Sequence, residues 1–125
     1  MTYFISGHRD LTWEEFAKWY APAINKVLNK DNGSTFVVAE CPGADQMAQD
    51  YLVACGVTPT GVTVYHMLKS PRYLAHRGMH TLGGFTSDEE RDAAMTKDSD
   101  CDIAFIRKGK ESSGTAQNIL RRWTK

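Results

Sequence analysis

The chain has 125 residues, of which 15 are basic, 15 acidic and 42% hydrophobic. This length fits one domain over residues 1–125, able to bury ~65–70% of its unfolded surface without disulfide or metal staples. Zero net charge argues against a bulk polyanion binder, no apolar run approaches a membrane span, and Cys41, Cys55 and Cys101 are too scattered for a disulfide framework or a CxxC metal site. Met1 leads into a strand-like run rather than a signal sequence, so the expected setting is reducing and cytoplasmic.

Thr2 to Ile5 reads as the first strand and runs into the loop Ser6-Gly7-His8-Arg9-Asp10. Thr12 with Glu15 has the spacing of a capping box, and Trp13, Phe16, Ala17, Tyr20, Ile24, Val27 and Leu28 keep helical spacing behind it. Pro22 predicts a kink there, or two helices meeting. Aromatic side chains cover most of the first helix's circumference, which predicts core burial or a subunit contact and, with it, a homo-oligomer, a dimer foremost. Asp31 to Ser34 is a turn, and Thr35 to Ala39 is apolar and β-branched enough for a sheet centre.

Glu40-Cys41-Pro42-Gly43 turns into a helix with Ala44, Met47, Ala48, Tyr51, Leu52 and Cys55 on its inner side and Gly56 as its stop. Val62 to Tyr65 is a third strand. From Lys69 to Thr86 the periodicity is lost: Ser70-Pro71 can open a short helical turn, and Gly78, Gly83 and Gly84 punctuate a loop. His76 and His80 are four residues apart, but Gly78 lies between them and no matching acid follows, so no metal site is expected. Ser87 with Glu90 reads as a second capping box, opening a helix through Ala93, Ala94 and Met95.

Residues 102–106 form a short apolar strand, followed by the polar loop Arg107 to Ser113 and a helix opening at Gly114-Thr115 with Ile119, Leu120 and Trp123 on one side. A strand, a small-residue loop and a helix start aim backbone N–H groups at an anion. Ser112, Ser113 and Thr115 add hydroxyls, and Arg107, Lys108 and Lys110 add charge. Alternating strands and helices predict an α/β, Rossmann-like three-layer fold with a mainly parallel sheet of at least four strands. Ligands of such sheets sit at the carboxyl ends of the strands, where the loops at Ser6, Glu40 and Arg107 should meet.

Four stretches carry a family resemblance: Ser6 to Asp10, Gly43-Ala44-Asp45 with Ala48, Glu90 to Met95, and Asp102 to Phe105 with Gly114-Thr115. In this order they resemble the SLOG superfamily, a Rossmann-like group that includes DprA and the LOG phosphoribohydrolases, and within it the YspA-like branch with its GxRD, GAD, RNxxM and GT segments. The resemblance implies a nucleotide or nucleotide-derived small molecule as ligand; no cofactor is expected. It leaves two functions open: a binding module that senses or sequesters that molecule, or an N-glycoside hydrolase or deoxyribosyltransferase that cleaves the base–ribose bond. Arg91 and Met95 match the LOG arginine segment and Gly114-Thr115 its GT turn, but the LOG glutamate position is Asn118. Neutral charge and the lack of a basic, aromatic-interleaved groove argue against a nucleic-acid partner.

The candidate ligand contacts are Ser6, Gly7, His8, Arg9, Gly43, Asp45, Arg91, Ser112, Ser113, Gly114, Thr115 and Asn118. Arg9 either clamps a phosphate or pairs with a carboxylate such as Asp10. Arg91 needs a partner, either a phosphate or one of Asp88, Glu89 and Asp92. Asp45 is a ligand contact or a first-turn acid favoured by the helix dipole. Glu40, with Arg91, is the candidate catalytic pair; otherwise Glu40 is a solvent-facing strand end, and an acid of the Asp88–Asp92 run takes its role. A phosphate is expected over Ser112 to Thr115, with ribose toward Glu40, Asp45 and Asn118.

Overall fold

The computed structural model describes residues 1–111 and 113–123. Five strands, β1 (Thr2–Ile5), β2 (Thr35–Val38), β3 (Val62–Tyr65), β4 (His80–Leu82) and β5 (Cys101–Ile103), form one sheet in the order β4-β3-β2-β1-β5. Every pairing is parallel, with Tyr3 opposite Phe36 on one side and Cys101 on the other. The helices are α1 (Trp13–Trp19), α2 (Ala21–Lys30), α3 (Ala44–Ala54), α4 (Asp88–Lys97) and α5 (Gly114–Trp123).

Side chains alternate across the pleat, so neighbouring strand residues serve different cores. Ile5, Phe36, Val38, Val62 and Val64 pack with Phe16 of α1, Tyr20 at the α1–α2 junction, Ile24 of α2, and Ala48 and Leu52 of α3. Phe4, Val37, Ala39 and Tyr65 pack with Met95 of α4. Burial of each large side chain contributes roughly 1.5–3 kcal/mol. A right-handed crossover requires this arrangement: the chain steps from β1 to β4 in one direction, then returns across the sheet to β5 with its helix on the other face.

Local signals fix most of the helix ends. Thr12 and Glu15 form the expected capping box. Two helices meet before Pro22, which lies in the first turn of α2, where its missing N–H has no intrahelical partner to lose. Gly56, with φ +79°, ends α3: its N–H donates to the Val53 carbonyl and that of Val57 to the Leu52 carbonyl. The second box is only half formed. Ser87 accepts from the Glu90 N–H, but the Glu90 carboxylate turns to the Thr86 N–H and hydroxyl.

Two expectations are corrected. The Lys69–Thr86 segment holds a strand, since β4 pairs with β3; all three β4 residues are exposed on a sheet edge, which leaves no apolar alternation to read. The last strand covers 101–103 rather than 102–106, because the Phe105 N–H leaves the ladder and donates to the Tyr20 hydroxyl. On α5, Thr115 and Asn118 are buried while Leu120 and Trp123 are exposed, so this helix meets the protein with its polar side. Arg122 anchors it through both oxygens of Asp102 and through Ser99. Of the first-helix aromatics, Phe16 and Tyr20 are core while Trp13 and Trp19 stay about half exposed.

Candidate ligand-binding cleft

The topological switch point lies at β1, where the chain steps toward β2 on one side and β5 on the other. A cleft of about 370 Å³ opens there at the carboxyl ends of the strands, a volume suited to a small molecule.

Tyr20 does not line the cleft but holds two of its strand ends together. The phenol donates to the Ser6 carbonyl at 2.7 Å and accepts from the Phe105 N–H at 3.0 Å, so β1 and β5 leave the sheet tied to one buried group. Burial pushes its pKa up to about 12. Gly7 and Gly43 allow the β1 and β2 loops to touch. A Cβ on Gly7 would lie 2.3 Å from the Tyr20 oxygen, and one on Gly43 would lie 2.4 Å from the His8 and Arg9 carbonyl oxygens. Gly43 also holds φ +79°, and beside it the Ala44 N–H donates to the His8 carbonyl.

The β1 loop supplies Ser6, Gly7, His8 and Arg9 to the lining, and α5 with its approach supplies Ser113, Gly114, Thr115 and Asn118. The β2–α3 region adds Ala39, Cys41 and Asp45, and α4 adds Asp88, Arg91, Asp92 and Met95. Gly43 does not line the cleft but caps α3 behind it. Ser112 lies outside the described residues.

Arg91 is buried and held by carboxylates. Its guanidinium lies 3.2 Å from Asp92 and 3.3 Å from Asp88, and 3.8 Å from the Cys41 sulfur. Burial alone would lower its pKa, but Asp92 and the neighbouring anionic groups outweigh that and raise it. Arg9 reaches the other Asp88 oxygen at 3.1 Å. Asn118 accepts from Arg121 at 2.8 Å and is hydrogen-bonded to Asp92. The Asp45 carboxyl accepts the Cys41 N–H at 3.1 Å; burial, aided by the Asp92 charge, outweighs Cys41 and the Arg91 charge, and its pKa rises from 3.8 to about 7. Burial also raises Asp92.

Arg107 does not add charge to the cleft. It forks onto Glu15 at 2.8 and 3.0 Å and reaches Asp10 at 3.0 Å, fixing the β5–α5 loop to the β1–α1 loop. Its backbone N–H donates to His8 Nε2 at 2.9 Å, which leaves the His8 proton on Nδ1 in the neutral ring. Burial and then Arg107 lower the His8 pKa, so the ring is neutral near pH 7.

Glu40 is neither in the cleft nor at a solvent-facing strand end. Pleat alternation sends Ala39 and Cys41 to the cleft and Glu40 away from it. Its side chain is fully buried, accepting the backbone N–H groups of Met67 and Arg72 and the Arg72 guanidinium at 2.9 and 3.1 Å. Sequence reasoning placed Asp88 and Asp92 only as possible acids or Arg91 partners, and missed Cys41 and Tyr20. The i,i+3 spacing of Asp88 to Arg91 was a readable signal, whereas nothing local marks a tyrosine that ties two strand ends. Among the described residues no group of three metal-ligating side chains could hold an ion, and no helix is long and apolar enough to cross a membrane. Comparison of the chain with family models, curated proteins and solved structures finds no match in any of the three.

Proposed function

We propose that the cleft binds a nucleotide or nucleotide-derived small molecule, in a sensing or sequestering role. Ser6 carries the reading. Its hydroxyl is buried, has no partner among the described residues, and belongs to a residue lining the cleft at the switch point. An unmet buried polar group costs about 1–3 kcal/mol, which a hydrogen bond from a ligand offsets. The rest of the lining supports the same chemistry. The start of α5, where Ser113 Oγ already accepts the Ala116 N–H at 3.2 Å and can still donate its proton, suits a phosphate together with Thr115, while Asn118, Asp45 and Asp92 suit sugar hydroxyls.

One observation favours cleavage of a base–ribose bond as a second reading. Asp45, whose pKa burial raises to about 7, lies in one cleft with Asp92, which is paired to Arg91. An acid for the departing base beside a carboxylate for an oxocarbenium-like state is the pair such chemistry uses. Glu40, clamped outside the cleft, has no part in either reading.

Nucleosides, nucleotides, NAD and ADP-ribose derivatives tested for melting shift and free-base release separate these outcomes. Ser6→Ala should leave the unliganded melting temperature unchanged or slightly raised, because no bond is lost, yet weaken ligand binding by about 0.5–1.5 kcal/mol. Absence of a shift with every compound refutes the binding reading. Free-base release that falls by orders of magnitude in Asp92→Asn while binding persists would establish the second.

A further inference from the structure

Arg9 and Arg91 come from separate elements, the β1–α1 loop and α4, and both meet Asp88 at the mouth of the cleft. Each takes a different oxygen of the one carboxylate, Oδ2 at 3.1 Å from Arg9 and Oδ1 at 3.3 Å from Arg91. The i,i+3 spacing on α4 accounts for the Arg91 contact alone. It does not account for Arg9 reaching the same carboxylate from 79 residues away in sequence. Two guanidinium groups converging on two oxygens of one anion is the arrangement that recognises a phosphoryl group.

We infer that Arg9 and Arg91 form a phosphoryl receptor at the cleft mouth and that the Asp88 carboxylate occupies it as an internal substitute, displaced when a phosphorylated ligand enters. This rests on the reading of the cleft as a nucleotide-derived ligand site. Asp88 suits the part. Its side chain is 55% exposed, so its ion pairs are worth little and are lost at small cost. It is also the first residue of α4, where the helix dipole favours a carboxylate even after release.

The charges decide which ligands displace it. Arg91 is also neutralised by Asp92, so with Asp88 in place the two arginines face two carboxylates. A ligand carboxylate brings the same single charge as Asp88 and gains nothing by exchange. A phosphoryl dianion brings twice the charge and a third oxygen, which the first turn of α5 and the Ser113 and Thr115 hydroxyls across the cleft can meet. Asp88 therefore raises the threshold for all anions and leaves phosphoryl groups the ones able to pass it.

Titration calorimetry at pH 8 with inorganic phosphate, acetate, AMP and adenosine tests this on wild type, Asp88→Asn and Asp88→Asn/Arg9→Ala. Asp88→Asn should bind phosphate and AMP about tenfold tighter, narrow the gap between phosphate and acetate, and leave any adenosine affinity unchanged. Adding Arg9→Ala should cancel the gain. Phosphate binding in Asp88→Asn no tighter than in wild type, or a gain that survives loss of Arg9, overturns the inference. AMP and adenosine binding to wild type with no response to Asp88→Asn sinks the receptor and leaves the ligand class standing. A phosphate gain in Asp88→Asn without binding of either AMP or adenosine keeps the receptor and argues against a nucleotide. Both variant chains fold if their circular dichroism matches wild type, as expected for exposed positions.

Discussion

Glu40 and Asp45 are buried carboxylates five residues apart at the same end of the sheet, yet their surroundings give them opposite character. Glu40 lies where the 66–79 segment folds over β2 and meets two backbone N–H groups and a guanidinium. Burial alone would raise its pKa, but the Arg72 N–H, the Arg72 side chain and the Met67 N–H together lower it. Asp45 lies in the cleft with the Cys41 N–H as its hydrogen-bond donor, and burial prevails. Donor count therefore decides which buried acid stays charged and holds the fold together and which is driven toward its neutral form.

The largest expected effect comes from removing the well-compensated acid. Glu40→Ala should lose about 3 kcal/mol in urea unfolding, the low end for breaking a buried pair, because Arg72 stays half in water. A loss below 1 kcal/mol would erase the contrast with Asp45. Linkage gives the pH dependence: a lowered folded pKa means that the Glu40 contribution is complete above the ordinary glutamate value and disappears as pH falls through the folded one.

Asp45 should behave the other way. Its raised folded pKa means the native chain binds the proton more tightly, so stability falls as pH climbs from 3.8 toward about 7 and stays lower above that. Asp45→Asn should remove this dependence, raising stability by about 2 kcal/mol at pH 8 and changing it little near pH 4. Thermal unfolding across that range checks both the sign and the window. The smallest effect is Arg72→Ala, about 1 kcal/mol, because Glu40 keeps two backbone donors and the lost guanidinium was half exposed. Equal losses for Arg72→Ala and Glu40→Ala would mean that the guanidinium, rather than the backbone donors, compensates the charge.

The sequence carried what depends on neighbours along the chain. The Thr12–Glu15 box, the stop at Gly56 and the helix pair meeting before Pro22 are all local chemistry, and each is found where its residues predict it. Strand and helix alternation predicted a parallel α/β sheet, because no short connection can join parallel strands, and the sheet is parallel throughout. The gathering of the Ser6, Gly43 and Arg107 loops at one sheet end follows from that direction alone.

Tertiary structure decided everything that depends on which groups face each other. Strand β4 has no pattern of its own and exists because β3 offers an open edge. The polar side of α5 turns inward because Asp102, Ser99 and the cleft supply partners there, overriding the apolar residues Leu120 and Trp123. Glu40 and Asp45 look alike in the sequence, and only the fold sets two backbone donors and a guanidinium on one but not the other. Hydrogen bonding and charge pairing act across space over a few ångströms, so contacts such as Arg9 to Asp88 or Tyr20 to Phe105 leave no trace in local spacing.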